Sequence, residues 1–248
     1  MKSLKKIHRR IFPVQKPSEV PEQLIFNEAV LFEKQCIFIA IPKTGSTAIR
    51  SQLKQPGTAF IPNSHLSILQ VREALYVYYL KNALGCNIGF PTKSIPSDQE
   101  IRAKADMEFN SFFKFSAVRN PWARAVSLYY RHDGTELRDK ISFGEFCTQH
   151  KYASDTCHHP TLHKNQLDWL TDENGKILMD YVYKLENLNS AVDEINKLTK
   201  GRLSLKSRRE NINPDSRAKN YRDMYTDRTK KLIAKAFEKD IDHFKYTF

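Results

Sequence analysis

Two stretches of the chain are dominated by apolar residues, and each gives way to helical spacing. Cys36-Ile37-Phe38-Ile39-Ala40-Ile41 reads as a buried strand, breaks at Pro42 and Gly45, and resumes as a helix to about Leu53. Phe112-Phe113-Lys114-Phe115-Ser116-Ala117-Val118 is aromatic and β-branched. Pro121 then suits the first turn of a helix over about 121–131, where a missing N–H costs nothing. A third strand is expected at Ile177 to Lys184, after the turn signal Asn174-Gly175. Helices are expected at about 66–83, with Leu66, Leu69, Ala74, Leu75 and Tyr78 near one face, and at about 187–199. Another is expected at about 226–240, with Leu232, Ile233, Ala236 and Phe237 as its apolar stripe. Residues 85–100 are turn-rich, and Lys104 to Ser111 reads as a connection to the second strand. Residues 133–165 suit loops and short helices, and 201–220 a basic loop.

Strands alternating with helices predict an α/β fold with a mostly parallel sheet and helices on both faces. Ligands of such sheets bind outside the carboxyl ends of the strands. The length of 248 residues suits one domain, placed at 31–248, behind a basic lead-in at 1–30 that carries Pro13, Pro17 and Pro21. No internal repeat is visible.

Composition narrows the class. A hydrophobic content of 40% supports a packed globule, and no run of 18 apolar residues is present to span a membrane. Residues 1–12 are basic but no apolar segment of signal-peptide length follows, so a cytoplasmic location is expected. That basic terminus suits weak contact with an anionic lipid surface. The cysteines Cys36, Cys86, Cys147 and Cys157 have no CxxC spacing and read as free thiols in a reducing compartment. The net charge of +12 suits an acidic partner. Nucleic acid is not the expected one, because no helix-turn-helix, zinc-finger or aromatic RNA-binding signature accompanies the charge.

The chemistry concentrates at the two strand ends. In Pro42-Lys43-Thr44-Gly45-Ser46-Thr47 a strand, a turn and a helix N-terminus follow one another, which makes an anion site. Lys43 adds a full charge, and Thr44, Ser46 and Thr47 add hydroxyls. The lysine precedes the only glycine, unlike the nucleotide-binding G-x-x-x-x-G-K-[ST] loop. At the second corner Arg119 ends a strand and Ser127 lies eight positions on, about two helical turns in. Together they could take a phosphate.

These two segments, in this order, resemble the 5′-phosphosulfate loop and the 3′-phosphate signature of sulfotransferases that use 3′-phosphoadenosine 5′-phosphosulfate (PAPS). His65, in Pro62-Asn63-Ser64-His65-Leu66-Ser67, stands where carbohydrate sulfotransferases place a histidine opening the next helix. Gln166 in Asn165-Gln166-Leu167-Asp168-Trp169-Leu170, the stretch Lys184-Leu185-Glu186-Asn187-Leu188 and the stretches 221–225 and 240–246 look like further landmarks of that family. The resemblance covers roughly residues 34 to 248 and is nearest to the Golgi-type carbohydrate enzymes and their small bacterial cousins, although the membrane anchor of the Golgi enzymes is not seen.

The resemblance implies a P-loop-like sulfotransferase fold and transfer of a sulfuryl group from PAPS to an acceptor hydroxyl, expected on a polysaccharide, glycolipid or glycoside. Lys43 would neutralise the leaving phosphate and His65 would take the acceptor proton. Lys43, Thr44, Gly45, Ser46 and Thr47 would hold the 5′-phosphate, and Arg119 and Ser127 the 3′-phosphate. Arg124 fits a structural ion pair as well as a ligand contact, and Arg208 or Arg209 are candidates for the 3′-phosphate. Tyr76, Tyr78 and Tyr79 fit either a sugar platform or the core. Cys147, His150, Cys157, His158, His159 and His163 crowd together without structural-zinc spacing, and no metal is expected. They read instead as a loop near the acceptor pocket, where a histidine or Lys164 could touch substrate. Two other classes remain: a small-molecule kinase, which predicts ATP and Mg²⁺ binding, and a basic nucleic-acid-binding protein, which predicts steeply salt-dependent binding.

Overall fold

The computed structural model describes residues 24–85, 96–130, 140–148, 164–208 and 220–248. The lead-in prolines, Cys86, Cys157, Arg209 and the histidines at 150, 158, 159 and 163 lie outside the described residues.

The two mainly apolar runs become the inner strands of one sheet, where both faces are buried. β3 (Cys36–Ile39) pairs in parallel with β5 (Phe113–Val118), with Cys36 opposite Phe113 and Ile39 opposite Ser116. β5 pairs in parallel with β6 (Tyr181–Lys184), and β2 (Val30–Leu31) adds an antiparallel edge to β3. The order is therefore β2-β3-β5-β6. A separate short parallel pair joins β1 (Leu24–Ile25) to β4 (Thr58–Ala59). The sheet is mostly parallel, as expected.

The period of two sorts the strand residues onto two cores. Ile37, Ile39 and Val118 face one core, shared with α2 (Ile68–Gly85), α3 (Asp98–Ser111), α4 (Pro121–Tyr129), α5 (Phe143–Thr148) and the C-terminal helices. Cys36, Phe38, Phe115 and Ala117 face the other, against Ile49 and Leu53 of α1 (Ser46–Leu53) and Leu188, Ala191, Val192 and Ile195 of α6 (Leu188–Leu198). Helices thus cover both faces.

Several boundaries differ from the sequence reading, each for an identifiable reason. The segment before β5 is helix α3 and not a connection. Ser97 caps it, accepting from the Glu100 N–H while the Glu100 carboxylate accepts from the Ser97 N–H. α2 buries Ile68, Val71, Leu75 and Tyr78, so its core face is offset from the expected one, and Leu66 lies before it. The expected helix over 226–240 is two helices, α7 (Asp227–Ala236) and α8 (Glu238–Phe244), because the chain breaks at Phe237 with φ −117°. Only Tyr181–Lys184 of the third strand joins the sheet, and Ile177 instead bridges back to Thr171 around the Asn174-Gly175 turn. Tyr78 is core, whereas the hydroxyls of Tyr76 and Tyr79 donate to Asp98 and Glu108 and fasten α2 to α3. None of the three is a free sugar platform.

Among the described residues no helix is long and apolar enough to cross a membrane.

Candidate functional site

Because β3, β5 and β6 are parallel neighbours, the segments leaving their carboxyl ends lie side by side at one edge of the sheet. From β3 comes the loop Ala40 to Gly45, and from β5 comes Arg119. From β6 comes the turn Leu185–Asn187. This adjacency brings together the two anion corners.

The loop is built so that its carbonyls turn inward. Thr44 Oγ1 donates to Ile41 O at 2.9 Å, Arg124 Nε donates to Pro42 O at 3.1 Å, and Arg119 Nη1 donates to Lys43 O at 3.2 Å. A trans peptide points its N–H opposite to its C=O. Holding the Pro42 and Lys43 carbonyls inward therefore turns the N–H groups of Lys43 and Thr44 outward. Lys43 has φ +67° and Gly45 φ +74°, left-handed conformations of the kind that can curl successive N–H groups into a concavity able to take an anion. Gly45 is needed twice over, for its φ and because an added Cβ would stand 2.5 Å from Leu185 Cδ1. α1 begins at Ser46 with no acidic residue in its first turn, so nothing offsets the positive end of its dipole.

Thr44 is fully buried and its hydroxyl is spent on Ile41 O, which corrects the expectation of a ligand-facing donor there. Its N–H remains on the outward side. Ser46 is buried and Thr47 is partly exposed.

The second corner is equally braced. Arg119 N donates to Gln166 Oε1 and Gln166 Nε2 donates to Arg119 O, both at 2.8 Å. Gln166 is fully buried, and the Asp240 carboxylate accepts from the main-chain N–H of Gln166 at 2.8 Å and of Leu167 at 2.9 Å. Burial pushes the Asp240 carboxyl up, while these N–H donors and the charge of Arg124 pull it back. Asn120 caps α4 by accepting from the N–H groups of Trp122 and Ala123. Its own N–H donates to Glu186 and its Nδ2 to Thr247 O. Burial lowers the affinity of the Arg119 guanidinium for its proton, and nearby Glu186 partly restores it. Ser127 sits partly exposed on α4.

His65 arrives at the same strand end. Asn27, buried, donates to the carbonyls of Ile61 and Asn63, and the His65 N–H is held by Asn63 Oδ1 at 2.9 Å. His65 Nδ1 lies 2.5 Å from Ala40 O. A carbonyl can only accept, so Nδ1 carries the proton and Nε2 of the neutral ring is the basic nitrogen. His65 precedes α2, whose start is capped by Ser67 and Gln70 in reciprocal bonds.

Arg124 is neither of the two things expected. It is 1% exposed, and its hydrogen bonds go to the carbonyls of Pro42 and Lys164 rather than to a carboxylate or toward ligand. Arg208 is exposed, on a segment tied to α1 through the Gln52–Lys206 bonds. Cys147 is buried in α5, and among the described residues no cluster could hold a metal ion. What sequence reasoning missed is the bracing role of Asn27, Asn120, Glu186 and Asp240. Glu186 and Asp240 lie in stretches that resemble family landmarks, Asn120 carries a cap signal directly before Pro121, and Asn27 carries none.

A family model described as the sulfotransferase family matches residues 32–247. No curated protein and no solved structure gives a significant match.

Proposed function

The chain belongs to the sulfotransferase family, and from that premise we propose that it takes the sulfuryl group from PAPS and delivers it to a carbohydrate hydroxyl. The observation that carries the donor reading is the 3.2 Å bond from Arg119 to the Lys43 carbonyl. It sets the helix-terminal loop and the arginine corner side by side, a juxtaposition that supports reading them as two anion positions of one site. PAPS carries phosphate groups at two ends of one adenosine, which is the charge pattern such a pair of positions fits. On this reading the fold is the P-loop-like one of sulfotransferases, although its loop lacks the kinase glycine and lysine order.

Each residue then has a task. The N–H groups of Lys43 to Thr47, with the hydroxyls of Ser46 and Thr47, bind the 5′-phosphate, and Arg119 and Ser127 bind the 3′-phosphate. The acceptor oxygen attacks sulfur as the bond from sulfur to the bridging phosphate oxygen breaks. His65 Nε2 takes the hydroxyl proton. Lys43 and the positive end of α1 offset the charge that grows on the departing oxygen. The products are a sulfate ester and adenosine 3′,5′-bisphosphate (PAP). No metal is assigned a task. The carbohydrate assignment rests on the placement of His65 before α2, as in the carbohydrate enzymes this chain resembles.

The test is a thermal-shift comparison of PAP, ATP and AMP, followed by transfer from labelled PAPS to a panel of saccharides. A ligand at a hundred times its Kd adds about 2.7 kcal/mol of apparent stability. PAP should raise the Tm well above ATP, and Arg119→Ala should remove the gain. A larger shift with ATP and Mg²⁺ would overturn the donor assignment in favour of a kinase. Turnover with a non-sugar alcohol alone would overturn the acceptor class.

A further inference from the structure

Arg124 is an expensive residue for a folded interior. Its guanidinium is fully buried, and desolvation lowers its pKa to about 10. One of its nitrogens, Nη2, has no hydrogen-bond partner. The Asp240 carboxylate partly offsets the lowering by desolvation and nearby Arg119 adds a smaller one, so the buried guanidinium shares its surroundings with a carboxylate and a second cation. An apolar side chain of similar length packed against Phe237, over whose ring the guanidinium lies 5.7 Å from the centroid, would avoid that cost. The return on this burial lies in what the two satisfied nitrogens touch. Nε holds Pro42 O at 3.1 Å and Nη1 holds Lys164 O at 3.2 Å. Pro42 is the residue whose carbonyl sets the direction of the Lys43 N–H. Lys164 stands two residues before Gln166, whose side chain holds the main chain of Arg119.

We propose that Arg124 is a positioning residue for the donor: by pinning the Pro42 carbonyl inward it aims the Lys43 N–H at the 5′-phosphate, without touching the nucleotide itself. This inference rests on the PAPS reading above. Planarity of the Pro42–Lys43 peptide makes the two directions inseparable. Lys43, at φ +67°, keeps an unfavourable backbone conformation only while its neighbours hold it there. Arg119 orients the next peptide by the same device, but from a side chain that also faces the second anion position. Arg124 holds the loop peptide directly but reaches the Arg119 corner only indirectly, through Lys164 O two residues before Gln166, so its loss should weaken the 5′ end more than the 3′ end.

The experiment measures binding of PAP, 5′-AMP and 3′-AMP to the wild type and to Arg124→Met, by calorimetry on protein shown to be folded by circular dichroism. Removing the pin should weaken 5′-AMP about tenfold or more and leave 3′-AMP within about twofold. With PAPS as substrate, kcat should fall along with the 5′-AMP affinity. A merely structural residue would lower the Tm and weaken both mononucleotides alike or neither, and either result overturns the inference. If Arg124→Met does not melt cooperatively, Arg124→Lys decides. Its single ammonium cannot span carbonyls on two segments, so the ratio of 5′-AMP to 3′-AMP affinity should still drop about threefold or more; an unchanged ratio overturns the inference. Wild-type protein that binds no PAP would sink the donor reading itself, a different failure from PAP binding that is indifferent to Arg124.

Discussion

Replacing Gly45 by alanine perturbs the loop at one atom, and the structure gives the size of the effect. The added Cβ would meet Leu185 Cδ1 at 2.5 Å, closer than real Cβ atoms approach, and Cδ2 at 3.2 Å, a tight contact. These atoms end a flexible side chain, so Leu185 can turn aside, at about 1 kcal/mol for an off-rotamer position. The backbone cost is separate. At φ +74° a residue with a Cβ loses about 1–2 kcal/mol relative to glycine. Lower entropy of the unfolded chain returns about 0.4–1 kcal/mol. The net destabilisation is about 2 kcal/mol, which for a chain of this length lowers the Tm by roughly 4–8 °C. Urea unfolding of the wild type, Gly45→Ala, Leu185→Ala and the double variant separates the two parts. In the Leu185→Ala background the steric part vanishes and the backbone part stays, giving a coupling energy of about 1 kcal/mol. A single-variant loss under about 0.5 kcal/mol, or no coupling, would refute the reasoning.

Lys43 carries both a charge and an unfavourable φ. Lys43→Gly should therefore be more stable than Lys43→Ala by about 1 kcal/mol while both lose turnover; equal unfolding midpoints would show that the strained φ has no energetic weight. Burial raises the thiol of Cys36 to about 11 and that of Cys147 to about 12. At pH 8 only about one Cys36 in a thousand would be thiolate. Site-resolved mass spectrometry should find both residues unalkylated in the native state and labelled in urea, and rapid native labelling of either would contradict the packing described.

The anion corners were legible because each is a local pattern. An apolar run, a breaker and a helix start occupy fewer than twenty consecutive residues in both 36–53 and 112–129. Parallel pairing of β3, β5 and β6 followed from the alternation of strands and helices. The Ser97-x-x-Glu100 cap is an equally local signal, and it marks the start of α3. The braces are a different matter. Gln166 was noticed as a landmark, but its partners Arg119 and Asp240 are 47 and 74 residues away. No periodicity encodes such a pairing. Arg124 illustrates the same limit, since one arginine reads alike whether it meets solvent, a carboxylate or two carbonyls. The helical pattern continues through Phe237, a fully buried residue beneath Arg124, and nothing in it marks the break there. The two-residue strands β1, β2 and β4 are too short for their hydrophobic pattern to announce them.

The bond from Asn120 to Thr247 closes a gap of 127 residues. On a ribosome adding about 5–20 residues each second, the arginine corner emerges many seconds before the segment that completes it. During that interval the nascent polypeptide holds its first loop without a finished counterpart. Completion of the Arg119 corner is thus postponed until synthesis has reached Thr247, and a translation product stalled before it would lack this brace.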